Sequence, residues 1–95
     1  MIVRISGIGQ YELDDAGTRK LDELDTALTA ALDASREEDF HRYLHETIQF
    51  ICSNGKEVPV DRVVPSDVIV PPEDVTMDEA KSFFTDEGLM QPLPA

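Results

Sequence analysis

The segment Ile2-Val3-Arg4-Ile5-Ser6, the loop Gly7-Ile8-Gly9 and the segment Gln10-Tyr11-Glu12-Leu13 constrain this chain more than any other stretch. Folded about the three-residue loop, they set Ser6 opposite Gln10, Ile5 opposite Tyr11, Arg4 opposite Glu12 and Val3 opposite Leu13. One face is then apolar, while the other holds an ion pair and two polar side chains, which predicts an antiparallel β-hairpin. A slip of one residue would turn Arg4 into the apolar face. Gly9, at the loop's end, suits the left-handed position that three-residue hairpin loops use. The hairpin also removes a nucleotide-binding reading of Gly7-Ile8-Gly9. A dinucleotide loop opens directly into a helix whose amino end receives the pyrophosphate. Here Gln10 to Leu13 alternate as a strand, and no third glycine follows at the required spacing.

Two helices follow. Asp14 or Asp15 caps the first, which runs to about Asp33 with Leu21, Leu24, Leu28, Ala31 and Leu32 in one apolar stripe. Asp22, Asp25, Thr29 and Asp33 lie along one flank and read as a solvated face, with docking as the alternative use. Ser35 and Glu38 have the spacing of a capping box for a second helix ending near Ser53, with Phe40, Leu44, Ile48 and Ile51 as its stripe. Asn54-Gly55 then stops it. The short joint predicts an antiparallel helical hairpin. Tyr43 and Phe50, seven apart, sit beside the second stripe and serve either core packing or a contact beyond it.

After Gly55 the chain turns to valine and proline. Val58-Pro59-Val60 and Val63-Val64-Pro65 read as extended segments without long central strands. Asp67 to Val70 predicts a short third strand beside the hairpin, stopped by Pro71-Pro72. Thr76 and Glu79 form a capping box, with Val75 and Ala80 at staple positions. That helix is expected to end near Thr85 and to bury Phe83 or Phe84, with a turn at Gly88. Together these elements predict one α+β domain over 1–90 and a loose tail over 91–95.

Charge narrows the function. Twenty acidic against eight basic residues leave a net charge of −12, which repels nucleic-acid backbones and anionic headgroups and attracts a basic protein surface. Solubility alone is the plainer use of such a surplus. A single cysteine, Cys52, has no internal disulfide partner, and no apolar run reaches the length of a membrane span, so a reduced cytoplasmic setting is expected.

The one cluster with ligand chemistry is His41, His45 and Cys52, which share a narrow sector of the second helix. Arg42 stands where a metalloprotease helix carries its glutamate. Cys52 lies about 10 Å further along the axis than His45, too far for metal bonds of about 2 Å from one straight helix. A metal-dependent enzyme or sensor built on His41 and His45, with Glu37 as helper, is therefore the alternative to ordinary side chains. Cys52 reads as a small buried hydrophobe at the stripe's edge. Neither catalytic residues nor a cofactor or metal site is expected.

Met1-Ile2-Val3-Arg4-Ile5-Ser6-Gly7 with Gly9-Gln10-Tyr11-Glu12-Leu13 resembles the start of the PspAA family, the PspA-associated proteins of phage-shock-type envelope stress systems. Pro65-Ser66-Asp67-Val68-Ile69-Val70-Pro71-Pro72, Thr76 to Glu79 and Glu87-Gly88-Leu89 continue the similarity in the same order. The family's short ending is replaced here by Met90 and a proline-containing tail. The resemblance implies a small cytoplasmic α+β protein acting alongside PspA, a coiled-coil membrane-remodelling protein, and reaching the membrane only through it. It implies no catalytic residues. The resulting expectation is a non-catalytic acidic module that binds or regulates PspA, with Tyr43, Phe50, Asp22 and Asp25 as contact candidates. A structural homodimer, joined through the hairpin edge or the Tyr43/Phe50 patch, is the other alternative.

Overall fold

The computed structural model describes residues 1–62 and 64–83. Strand β1 (Ile2–Ile5) and strand β2 (Gly9–Glu12) form the expected hairpin. Helices α1 (Asp15–Asp33) and α2 (Glu37–Asn54) then pack as an antiparallel pair. Strand β3 (Lys56–Glu57), strand β4 (Val68–Val70) and helix α3 (Met77–Ala80) follow, with a 3₁₀ turn over Lys81–Phe83. The result is an α+β fold with a mixed sheet in the order β3-β2-β1-β4. The hairpin and β3 pair antiparallel, whereas β4 runs parallel to β1. The expected turn at Gly88, the helix end near Thr85, Phe84, Val63 and the tail over 91–95 lie outside the described residues.

The hairpin register differs from the one expected. Ile2 faces Glu12, Val3 faces Tyr11, Arg4 faces Gln10 and Ile5 faces Gly9, so β2 is displaced by two residues. An even displacement leaves every side chain on its expected face, and apolar alternation therefore cannot choose between the two registers. The turn chooses. Ile8 N–H donates to the Ile5 carbonyl at 3.0 Å, and Gly7 takes φ +81°, the positive value a type II turn demands of its third residue. The left-handed glycine is thus Gly7; Gly9 stands at +148°. The ladder gains a further pair, since the Met1 and Leu13 backbones bond each other in both directions at 3.0 and 2.9 Å. Arg4 is consequently set against Gln10 in place of Glu12.

Val3, Ile5, Val68 and Val70 project from one face of the sheet into a core with the stripes of α1 and α2. All five expected α1 stripe residues and all four of α2 are buried. Asp14 caps α1 by accepting the Gly17 N–H at 2.8 Å. Thr47 is fully buried, and its hydroxyl is satisfied by donating to the Tyr43 carbonyl at 2.7 Å. The Thr76/Glu79 capping box forms as expected, with Val75 and Ala80 buried around it. Phe83 is half-buried against the core.

The joint between the helices departs from the expected capping box. Arg36, not Ser35, is the N-cap of α2, and its side chain makes no cap bond. Three acids in the first turn, Glu37, Glu38 and Asp39, oppose the exposed N–H dipoles instead. Ser35 sits at φ +56°. Its N–H reaches the Leu32 carbonyl at 3.1 Å and Arg36 N–H reaches the Ala31 carbonyl at 2.9 Å, which is a Schellman ending for α1. Reversing the chain in three residues takes priority over capping the next helix. Ser35→Gly is expected to stabilise the fold by about 0.5–1 kcal/mol, the left-handed penalty less the entropy of glycine. Thermal melts should show a rise of roughly 2–6 °C. An unchanged or lower midpoint would contradict the assignment.

β3 was not foreseen. The chain leaves α2 at Gly55 in extended conformation and runs directly along β2, with Tyr11 facing Glu57 and Glu12 facing Lys56. Val58 N–H continues the ladder to the Gln10 carbonyl at 2.9 Å, and Pro59 to Arg62 then close a turn at 3.0 Å.

Candidate functional surfaces

The two layers of the fold carry different surfaces. On the helical layer Asp22, Glu23, Asp33, Glu37, Glu38 and Glu46 are all exposed. Lys20 and Arg42 are tied to acids on their own helices, Glu23 at 3.7 Å and Asp39 at 3.4 Å. Exposed pairs of this kind contribute at most about 1 kcal/mol each. Their effect here is to leave this layer with surplus negative charge.

The four expected contact residues separate in the structure. Asp22 is exposed, but Asp25 is only 3% exposed. At about 100° per residue Asp25 lies next to Leu21 and Leu32 around the helix and falls under the packed surface. The flank is therefore not uniformly solvated, and Asp25 is not accessible to a partner. Thr29, one turn on, has its hydroxyl oxygen buried without a hydrogen-bond partner among the described residues. Tyr43 and Phe50 are half-buried and pack against the core, with the Arg42 guanidinium 5.1 Å from the Tyr43 ring centroid. They present only their outer edges.

The residues of the expected metal alternative also part company. His45 pairs through Nδ1 with Glu73, which joins α2 to the chain leaving β4. His41 packs edge-on against the Phe40 ring, 5.6 Å between centroids. Cys52 is exposed, contrary to its expected burial, because it lies 100° around the helix from buried Ile51. Among the described residues no three histidine, cysteine or acidic groups converge as a metal would need. Cys52 sits instead at the corner where α2 meets β2. It holds the Tyr11 phenol above its ordinary pKa through a hydrogen bond, with burial and the charges of Cys52 and Glu57 acting in the same direction.

The sheet face turned away from the helices was not anticipated as a site. Its ladder places Val58, just past β3, Gln10, Arg4 and Ile69 side by side across the sheet. Val64 and Ser66 come back onto this face. Gln10 Nε2 donates to the Val64 carbonyl at 3.1 Å and to Ser66 Oγ at 2.8 Å, and Arg4 Nε donates to the same hydroxyl at 3.4 Å. A cleft of about 280 Å³ remains, lined by Arg4, Ile8, Gln10, Glu57, Val58 and Val60 among others. The sequence signal was present in Ile8 and Val60, two apolar side chains in turns where polar residues are usual.

Comparison with known proteins identifies the chain. A family model described as "PspA-Associated protein", PspAA, matches residues 1–92. No curated protein and no solved structure matches it. The match spans nearly the whole chain, and the protein belongs to the PspAA family.

Proposed function

We propose that this member of the PspAA family is a non-catalytic adaptor that binds PspA and regulates it through surface contact. Family membership over residues 1–92 is the observation that carries the reading. The acidic helical layer supplies a mechanism, because a basic segment of PspA would be steered toward it and held there in preference to anionic lipid. Asp22 belongs to that contact, and Tyr43 and Phe50 add apolar edges where the helices leave them half-exposed. Among the described residues no helix is long and apolar enough to cross a membrane. Cytoplasmic residence, with membrane contact only through PspA, follows from the same reading.

Titration of purified PspA into the protein at increasing salt tests it. The Debye length falls from about 10 Å at 0.1 M to about 3 Å at 1 M, so affinity is expected to weaken at least tenfold across that range. No binding at low salt would end the adaptor reading. Binding that ignores salt would end only its electrostatic part.

A further inference from the structure

We infer that the open face of the sheet is a second docking surface, taking an apolar segment of the partner that brings a carboxylate to Arg4. The inference rests on the adaptor reading and adds a surface and a ligand chemistry to it. Three large apolar side chains are exposed among the described residues: Ile8 at 54%, Val60 at 102% and Ile69 at 48%. None is on a helix. Ile8 and Val60 rim the cleft that Arg4 enters, and Ile69 is the ladder neighbour of Arg4 on its other side. Scattered exposed apolar residues need no explanation, but three gathered around one cation form a patch.

Charge decides what the patch accepts. The protein has twelve more acidic than basic residues, yet Arg4 has no carboxylate within ion-pair distance among the described residues. Its side chain is steadied by Ser66, whose hydroxyl also accepts from Gln10, so the guanidinium is held in the cleft by neutral partners. A planar donor fork beside Ile8 and Val60 fits a carboxylate flanked by aliphatic or aromatic side chains. Glu57 lines the same cleft from β3, so the cleft has charge compensation for one incoming carboxylate, at Arg4, and repels any further acid. The helical layer and the sheet layer would therefore engage chemically opposite segments, one basic and one acidic-apolar.

The two contacts separate by salt. At about 0.5 M the helical layer is largely screened, whereas apolar contact at the cleft persists. PspA is titrated against wild type, the double variant Ile8→Ser/Val60→Ser, and Arg4→Glu, at low salt and at about 0.5 M. All three positions are exposed, so unchanged melting curves confirm that each variant folds. At high salt the double variant should bind about tenfold more weakly than wild type, and at low salt Arg4→Glu should do the same, with Arg4→Lys restoring part of the loss. Equal affinity of wild type and variants would overturn the inference and leave the adaptor reading standing. Failure of wild type to bind PspA at low salt would overturn both. If light scattering shows wild type self-associating and the variants monomeric, with PspA affinity equal, the occupant is a second copy and the proposed partner segment is wrong.

Discussion

Gly55→Ala is expected to destabilise the fold by about 2–3 kcal/mol, although nothing in the Gly55 backbone requires glycine. Its φ of −80° and ψ of 155° are extended values that any residue adopts. Space is the constraint. A Cβ there would stand 2.6 Å from the Ile51 carbonyl oxygen and 3.0 Å from the Tyr11 Cβ. The Ile51 carbonyl is not free to withdraw, since it accepts the Gly55 N–H at 2.7 Å and ends α2. Tyr11 is held by its pairing with both Val3 and Glu57. Relief would have to come from lifting α2 off β2, which opens the core at Leu13 and Ile51. Thermal melts should fall by roughly 10–20 °C. A variant melting within about 2 °C of wild type would show that this corner is not close-packed.

Phe40→Ala should cost more, about 3–5 kcal/mol, because the ring is wholly buried at the first turn of α2. Total stabilities of small domains lie at about 5–15 kcal/mol, so this single loss can leave the fold marginal. Phe50, half-buried on the same helix, provides the comparison. Urea denaturation should place Phe40→Ala at least about 2 kcal/mol below Phe50→Ala. Equal costs would mean that the second stripe is not centred on Phe40.

Helix boundaries and their buried stripes were readable in the chain because period and capping are local properties. Leu21 to Leu32 repeat at helical spacing, and Asp14 and Thr76 sit where an N-cap must. The strand after Ser66 was legible from its apolar run and the two prolines that end it. The Ser35 capping box failed for a local reason of a different kind. Two motifs competed for one residue, and the ending of α1 took it. The hairpin register failed because two registers differing by two residues bury identical side chains.

Sites were less legible than folds. Asp22 and Asp25 share one flank, but Asp25 falls only about 20° from Leu32 around the helix and is buried, whereas Asp22 is turned further out and is exposed. Cys52 and Ile51 are adjacent in sequence, and the roughly 100° between them on α2 puts Ile51 in the core and Cys52 at the surface. The cleft at Arg4 needs β1, β2, β3, Val58, Val60 and Ser66 together, separated by up to 62 positions in the chain. No pattern along one segment contains it.

Read alone, the chain determined its α+β class, its two amphipathic helices, its acidity and its family likeness, since each is a property of neighbouring residues or of their sum. Tertiary structure decided the parallel seating of β4 on β1, the two-residue strand that follows Gly55, and the cation set among exposed aliphatic side chains. The physical reason is one of range. Side-chain periodicity and charge act over a few residues, whereas strand order, close approach and burial depend on which distant surfaces come to occupy the same few ångströms.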